Sequence, residues 1–333
     1  MIPSQLSKAV SFALTHKLPL LIKGAPGVGK TSIVSQACEK VGAKLIVSHP
    51  VISDPTDYKG LPFPVKDKNE ATFLPFGELL NLINAKEPTV FFLDDFGHAS
   101  DSVQKAVLHL IFARHINGYK VSDEVTFLAA TNRRQDKAGV MGILEPVKSR
   151  FAAIVELEVD VNDWVQWAFE NNMPPELIAF IRYRPNLLHD FKPTSDIVNT
   201  PNPRTVAYVG NMLNAGMPEG LEYELITGAA GEGFAAEFIG FLNTYKQLPN
   251  IPELLKNPDT SIVPSEPSMV FAVCGALAHN AKPDNIEAIF RYSERLPAEF
   301  QILLAKDIQR KNPAITSTFA FTKWASSHSN IIL

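Results

Sequence analysis

The stretch Gly24-Ala25-Pro26-Gly27-Val28-Gly29-Lys30-Thr31 decides the fold of this chain, because it fits the pattern G-x-x-x-x-G-K-[ST]. The glycines let the backbone N–H groups turn inward around phosphate oxygens. The lysine can reach the β- and γ-phosphates, and the threonine hydroxyl can hold Mg²⁺. The loop lies between the apolar run Leu18 to Lys23 and the helix-like segment Thr31 to Val41. The helix directs its positive end at the same phosphates. The predicted nucleotide-binding residues are Gly24, Ala25, Pro26, Gly27, Val28, Gly29, Lys30, Thr31 and Ser32.

A second apolar run, Val90-Phe91-Phe92-Leu93, ends in the acidic pair Asp94-Asp95 and resembles a Walker B segment. Such a strand in the middle of a sheet would place Asp94 beside the Mg²⁺ shell, so Thr31 and Asp94 are the predicted metal ligands. Asp95 would orient or deprotonate the attacking water. A buried strand that merely ends on a solvated loop is the other interpretation. The phosphate loop upstream favours the catalytic one.

A third apolar run, Val125 to Ala130, is followed by Thr131-Asn132. Asn132 at the end of this strand would hydrogen-bond the attacking water or the γ-phosphate. A single asparagine at a strand end is more often a turn residue. Its position after the two preceding motifs favours a catalytic role.

Strand-like and helix-like segments alternate over the first part of the chain, and the apolar strands predict a parallel sheet covered on both faces. We expect a P-loop NTPase αβα sandwich over residues 1–160, interrupted by an irregular, proline-rich excursion between Asp54 and Phe76. After about residue 160 the pattern is typical of helices. Asn202 and Pro203 form an N-cap and first-turn pair that opens the clearest one. A small helical lid over residues 161–215 and a helical C-terminal extension over residues 216–333 complete the predicted organisation.

The composition limits the function classes. Thirty-one basic and thirty-five acidic residues give a formal net charge of −4, which argues against a protein that coats nucleic acid, although a local basic patch stays possible. Cys38 and Cys274 match no metal spacing and are predicted to be buried thiols, as suits a reducing compartment. We see neither a signal peptide nor eighteen uninterrupted apolar residues, so we expect a soluble, cytoplasmic protein without a membrane partner.

The three motifs in this order resemble those of the AAA+ family. Over roughly residues 1 to 215 the chain is similar, more narrowly, to the MoxR group. The further segments that carry the MoxR resemblance are Asp54-Pro55-Thr56-Asp57-Tyr58-Lys59-Gly60, Phe73-Leu74-Pro75-Phe76, Val147-Lys148-Ser149-Arg150-Phe151 and Pro201-Asn202-Pro203-Arg204-Thr205.

The resemblance implies a named role for Asn132 and roles for two more residues. Asn132 takes the sensor 1 position and Arg204 the sensor 2 position, near the γ-phosphate. Arg150 takes the position of the arginine finger that reaches the ATP of the neighbouring subunit. Phosphoryl transfer gathers negative charge on oxygens, and a planar guanidinium stabilises that charge. Each arginine is also open to interpretation as a surface charge or a structural pair.

The chain departs from the family at one catalytic position. The family usually has glutamate after the Walker B aspartate, whereas this chain has Asp95, whose side chain is one methylene shorter. The sequence therefore leaves open whether ATP turnover is slow. Tyr58-Lys59 are open to two interpretations, as pore-lining residues or as ordinary loop residues. Arg133-Arg134 are likewise open to a role facing the next subunit or to simple solvation.

The resemblance implies an ATP- and Mg²⁺-dependent ATPase that remodels or matures a protein partner. Relatives commonly form hexameric rings and work with a client that carries a von Willebrand factor A domain. Three alternatives stay open: a metal-chelatase motor subunit, a nucleic-acid motor or loader, and a nucleotide-gated scaffold with little turnover. The near-neutral charge weighs against the nucleic-acid motor.

Overall fold

A computed structural model describes residues 1–136, 139, 141–194 and 196–328 of the protein. The chain divides into two units, Met1–Val159 and Asp160–Leu333. Each unit has its own apolar core within the described residues. The three motifs that predict nucleotide chemistry all lie in the first unit.

A parallel sheet is the centre of the first unit. The strands described in this unit are β1 (Leu20–Gly24), β2 (Lys44–Ser48), β3 (Leu61–Pro64), β4 (Ala71–Leu74), β5 (Thr89–Leu93), β6 (His115–Ile116), β7 (Tyr119–Lys120), β8 (Val125–Thr131) and β9 (Ala153–Leu157). Five of them form the sheet in the order β2-β5-β8-β1-β9, and every adjacent pair is parallel. The carboxyl ends of β1, β5 and β8, which carry the three motifs, therefore lie next to one another.

Helices cover both faces of this sheet. The helices described in the first unit are α1 (Pro3–Thr15), α2 (Lys30–Val41), α3 (Pro55–Lys59), α4 (Gly77–Ile83), α5 (Asp101–Ala113) and α6 (Glu145–Lys148). Successive side chains of a strand point to opposite faces, and in β5 Phe91 packs with residues of α4 and α5 while Phe92 packs with residues of α1 and α2. The predicted αβα sandwich around a parallel sheet is thus confirmed.

The proline-rich excursion is more regular than the sequence predicted. Asp54 caps α3 by accepting a hydrogen bond from the Thr56 backbone N–H at 2.9 Å, and β3 and β4 then form an antiparallel hairpin. Gly60 joins helix to hairpin with φ +86°, where a Cβ atom would lie 2.7 Å from the Leu74 carbonyl oxygen. Tyr58 is 2% exposed, which excludes its interpretation as a pore-lining side chain. Burial raises the pKa of its hydroxyl, which is also within hydrogen-bonding distance of the Ser48 hydroxyl.

The described part of the second unit is helical. Its helices are α7 (Val161–Glu170), α8 (Pro175–Tyr183), α9 (Pro203–Ala215), α10 (Glu222–Ala230), α11 (Glu232–Lys246), α12 (Ile251–Lys256), α13 (Pro267–Asn280), α14 (Ile286–Ser293), α15 (Ala298–Lys311) and α16 (Phe319–Ser327). As predicted, Asn202 opens α9: its side-chain oxygen accepts hydrogen bonds from the backbone N–H groups of Arg204 and Thr205 at 3.1 and 3.2 Å. The helical C-terminal region expected from the sequence is thus present.

Packing inside the second unit connects the predicted lid, residues 161–215, with the predicted C-terminal extension, residues 216–333. A Cβ atom at Gly275 of α13 would lie 2.7 Å from the Ala179 Cβ of α8. Phe180 of α8 also contacts the rings of Phe234 and Phe238 in α11. The boundary between a lid and an extension at residue 215 therefore stays a prediction.

Both cysteines are free thiols inside apolar cores. Cys38 lies on the buried face of α2 and Cys274 on the buried face of α13, as the sequence predicted. Within the described residues, no helix combines the length and the apolar character needed to cross a membrane.

Candidate functional site

The loop between β1 and α2 has the backbone conformation that its glycines predict. Gly27 and Gly29 have φ values of 75° and 94°, in the region that side chains other than glycine's rarely adopt. A Cβ atom at Gly29 would meet nothing within 4 Å, so the backbone conformation and not the available space requires glycine there. α2 begins at Lys30, and its first-turn N–H groups and positive dipole end lie at the end of the loop.

Lys30 lies over this loop and is only 7% exposed. Its Nζ donates hydrogen bonds to the carbonyl oxygens of Gly24 at 3.1 Å and Ala25 at 3.0 Å. It also donates to Asn132 Oδ1 at 2.8 Å, which joins the phosphate loop to the end of β8. A buried ammonium needs such partners, because an unpaired charge in the interior is costly. The lysine is therefore held at the mouth of the loop by groups that phosphate oxygens can replace.

The predicted metal ligands lie in direct contact. Thr31 Oγ1 donates a hydrogen bond to Asp94 Oδ2 at 2.7 Å. Two oxygens bound side by side to one octahedral Mg²⁺, each at 2.0–2.1 Å, lie about 2.9 Å apart. The spacing of this hydroxyl and carboxylate therefore fits a shared Mg²⁺. The other carboxylate oxygen, Asp94 Oδ1, accepts a hydrogen bond from the Asp95 backbone N–H at 3.0 Å, which fixes the orientation of the group.

Asp95 follows in a left-handed backbone conformation, with φ 51° and ψ 34°. Asn132 Nδ2 donates to Asp95 Oδ1 at 3.4 Å, so the amide of Asn132 contacts both Lys30 and the second acid. The carbonyl oxygen of Asp95 accepts the backbone N–H of His98 at 2.9 Å. Aspartate adopts left-handed conformations more readily than most side chains. The left-handed backbone is thus a physical reason for aspartate, the shorter acid, at this position.

We expect Asp95→Glu to keep or raise turnover, by up to about tenfold, because the longer carboxylate extends further towards a bound water. The left-handed backbone suits glutamate less well, so we also expect the melting temperature to fall by about 2–4 °C. Steady-state ATPase rates and thermal melts of both proteins measure the two effects. A complete loss of turnover with ATP binding intact would contradict the expectation and show that the site is built around the shorter acid.

Arg150 lies just beyond α6, in the first unit. Its guanidinium carbon is 4.0 Å from the ring centroid of Phe112, and its buried Nε has no hydrogen-bond partner in the described residues. Within the same residues, no hydrogen bond or ion pair joins Arg150 to Asp94 or Asp95. The structure therefore brings Lys30, Thr31, both acids and Asn132 together in one chain and leaves Arg150 outside that group.

The other arginines that the sequence analysis named are Arg133, Arg134 and Arg204. Arg133 donates to both carboxylate oxygens of Asp136 at 2.9 Å and to Glu156 at 3.3 Å, and these bonds raise its pKa. It is thus paired within its own chain, and Arg134 beside it is exposed. Arg204 is exposed near the start of α9 in the second unit, so its sensor 2 role stays a prediction.

The sequence analysis missed two residues of α5 that contact the Arg150 segment, Gln104 and Phe112. Gln104 is 1% exposed and its side chain makes three hydrogen bonds, whereas Phe112 is 63% exposed. The sequence did contain a signal that Gln104 is buried. It lies three and seven residues before Val107 and Ile111, so it occupies the apolar face of the helix. A polar side chain at such a position needs internal partners.

Comparison with protein families finds one match in the first unit. Residues 19–151 match the model of the AAA domain (dynein-related subfamily), which spans all three motifs and Arg150. This segment is therefore similar to an AAA domain. Comparison with curated proteins finds no match.

Solved structures that show low similarity to this chain include RuvB and NtrX. RuvB of Thermotoga maritima, a Holliday junction branch migration motor, is 15% identical; 77% of this chain aligns with 74% of RuvB at a TM-score of 0.40. NtrX of Brucella abortus, solved in complex with ADP, is 12% identical; 99% of this chain aligns with 68% of NtrX at a TM-score of 0.43. These similarities are too low to assign a role to any residue.

Proposed function

We propose that this chain, whose residues 19–151 match the AAA domain model, hydrolyses ATP as one subunit of a MoxR-like ring and thereby remodels or matures a protein partner. The observation that carries the proposal is the convergence of Lys30, Thr31, Asp94, Asp95 and Asn132 at neighbouring strand ends. Phosphoryl transfer depends mainly on positioning and on charge stabilisation, and these five side chains supply both.

Each side chain has a role that its contacts support. Lys30 exchanges its carbonyl partners for the β- and γ-phosphate oxygens of ATP. Thr31 and Asp94 would hold Mg²⁺, which would neutralise charge on the phosphates. Asp95 accepts a proton from the attacking water, and the Asn132 amide keeps that water and the carboxylate in line. The bonds that break and form are the oxygen–phosphorus bonds of the γ-phosphate, so the products are ADP and phosphate.

The proposed ring follows from the position of Arg150. Its guanidinium packs on the exposed ring of Phe112 and, within the described residues, makes no ion pair with Asp94 or Asp95, which supports a role at the ATP of a neighbouring subunit. The proposed assembly is hexameric, with Arg204 as the sensor 2 residue. The proposed client is a protein, such as one with a von Willebrand factor A domain, and the charge balance of the chain favours it over nucleic acid.

A second candidate function is a nucleotide-gated scaffold with little turnover. The specific observation in its favour is Asp95, whose carboxylate is short and already engaged by Asn132. In such a scaffold, ATP binding would change the conformation of a partner complex without rapid hydrolysis.

The ATPase rate per subunit, measured across protein concentration with light scattering for mass, tests both candidates. With ATP and Mg²⁺ present, we expect the rate per subunit to rise as the chain assembles, because each site is completed by a neighbour's Arg150. Tight ATP binding with no turnover in any assembly state would refute the ATPase and favour the scaffold. Stimulation by single-stranded DNA or RNA, added in a parallel series, would instead favour a nucleic-acid motor.

A further inference from the structure

One buried side chain connects two segments of the first unit. The first is the Walker B turn, residues 95–99, and the second is the Arg150 segment, residues 141–151. Gln104 in α5 donates through Nε2 to the carbonyl oxygens of Ala99 at 3.1 Å and Gly142 at 2.8 Å. Its Oε1 accepts the Leu144 backbone N–H at 3.0 Å. Both ends of the amide are thus used. Because Gln104 is 1% exposed, water cannot replace these bonds without local opening.

Two further contacts join the same segments. The Gly142 backbone N–H donates to the Gly97 carbonyl oxygen at 3.2 Å. The rings of Phe96 and Phe151 pack edge to face with their centroids 6.4 Å apart. Phe96 follows Asp95 directly, and Phe151 follows Arg150 directly. Consequently the turn after the catalytic acids and the residues around Arg150 form one packed assembly with α5.

The other end of α5 supports the guanidinium itself. Phe112 lies two turns beyond Gln104, and its ring is 4.0 Å from the guanidinium carbon of Arg150. A guanidinium over an aromatic face is attracted by the ring quadrupole, and the flat contact limits the orientations that the arginine can adopt. Phe112 is 63% exposed, so this contact lies at the surface where a second subunit could approach.

We infer that α5 positions Arg150 for the ATP of the neighbouring subunit, with Gln104 fixing the segment that leads into α6 and Phe112 holding the guanidinium. Both are positioning residues, because they contact Arg150 or its segment and not the nucleotide. The inference rests on the proposed trans role of Arg150. It also implies that a change at the Walker B turn of one subunit shifts that subunit's own Arg150, because Gln104 bonds to both segments.

Gln104→Met and Phe112→Leu test the two contacts separately. Methionine keeps the length of the side chain but removes all three hydrogen bonds, and leucine keeps apolar bulk but removes the aromatic face. We expect each to lower kcat by about 10- to 100-fold, because small misplacements of a catalytic group cost this much. The affinity for a non-hydrolysable ATP analogue should change by less than about twofold, because neither residue contacts the phosphate loop.

Matched controls separate positioning from general damage. Gln301→Met removes a comparable side-chain amide in the second unit, where Gln301 Nε2 donates to the Leu296 carbonyl oxygen at 2.8 Å. Phe12→Leu changes a phenylalanine of similar exposure, 59%, on α1 of the first unit. Both controls should keep the wild-type kcat. Should Gln104→Met fail to fold, the exposed Phe112→Leu still tests the inference.

Mixing subunits decides whether the defect lies in Arg150 or in the variant's own site. Asp95→Asn removes a charge but keeps the size of the side chain and the Gln104 contacts, so these subunits should hydrolyse nothing and still offer a normal Arg150 to their neighbours. Added in equal amount, they should therefore restore Gln104→Met and Phe112→Leu towards about a quarter of the wild-type rate per subunit if the chains assort at random around a ring. An unchanged kcat in both variants would overturn the inference.

Failure of the inference and failure of the proposed function give different results in this experiment. If Arg150→Ala is restored by Asp95→Asn subunits but the two α5 variants are not, the trans role stands, and α5 acts on its own Walker B turn instead. If Arg150→Ala is not restored either, the trans role of Arg150 fails and the inference fails with it.

Discussion

Replacing Lys30 with alanine should abolish measurable ATP binding. The buried ammonium lies over the phosphate loop, where it donates hydrogen bonds to two loop carbonyls and to Asn132. Removing the charged partner of a buried phosphate contact costs several kcal/mol. We therefore expect affinity to fall by about 100-fold or more, equivalent to about 2.8 kcal/mol. Isothermal titration calorimetry with a non-hydrolysable ATP analogue measures the change.

Two further variants make this result specific. Lys30→Met keeps the packing of the stem but removes the charge, and it should lose affinity as Lys30→Ala does. Lys40→Ala removes an exposed lysine from the last turn of the same helix and should leave affinity unchanged. Wild-type affinity in both Lys30 variants, with the fold intact by circular dichroism, would refute the assignment of the phosphate loop.

Replacing Arg150 with alanine should stop hydrolysis and spare ATP binding. An arginine finger contributes about 10³-fold or more to kcat, because its guanidinium meets charge that develops only in the transition state. Arg150 makes no hydrogen bond through its buried Nε in the described residues, so its removal takes away no such bond from the fold. We expect kcat to fall by about 10³-fold and the Kd of an ATP analogue to change by less than about twofold.

Subunit mixing shows whether this arginine acts on a neighbour. Arg150→Ala subunits keep an intact ATP site, and Asp95→Asn subunits keep an intact Arg150. Mixed assemblies should therefore hydrolyse ATP although neither variant does so alone. Lys148→Ala, which changes an exposed charge on the short helix just before Arg150, is the matched control and should keep the wild-type rate. If no mixing ratio restores activity, the trans-acting role is wrong.

The sequence indicated which side chains lie together because three local patterns end at the same sheet edge. Each pattern consists of an apolar strand followed by chemically distinctive residues, and the parallel order of β5, β8 and β1 then places those residues together. The contact of Thr31 with Asp94 and that of Lys30 with Asn132 both follow from this topology. Their distances could not be predicted, because they depend on the register of strands that are distant in sequence.

Other features escaped prediction for identifiable physical reasons. The Asp54–Phe76 segment is rich in proline and lacks a hydrophobic period, yet a capped turn and the conformation of Gly60 allow α3 and a hairpin to form. Tyr58 lies among polar and small residues in sequence, so its burial follows from tertiary packing alone. For Gln104 the apolar helix face indicated burial, but its hydrogen-bond partners could not be predicted because they lie up to forty residues away.

The left-handed conformation of Asp95 could not be predicted from the sequence either. The sequence analysis treated the shorter acid only as a departure that could slow turnover. The structure adds that the backbone at this position has φ 51°, which aspartate adopts more readily than glutamate. The Asp95→Glu variant therefore separates two effects of one substitution, the reach of the carboxylate and the conformational preference of the backbone.

The burial of both cysteines makes the chain well suited to site-specific labelling. Burial raises the pKa of the Cys38 thiol to about 11, so only about one molecule in ten thousand carries the reactive thiolate at pH 7. Burial also raises the pKa of Cys274 far above its ordinary value. A maleimide dye should therefore react with a cysteine introduced on the surface and leave the native pair unmodified. Fluorescence transfer between labelled subunits could then follow assembly without first removing either natural thiol.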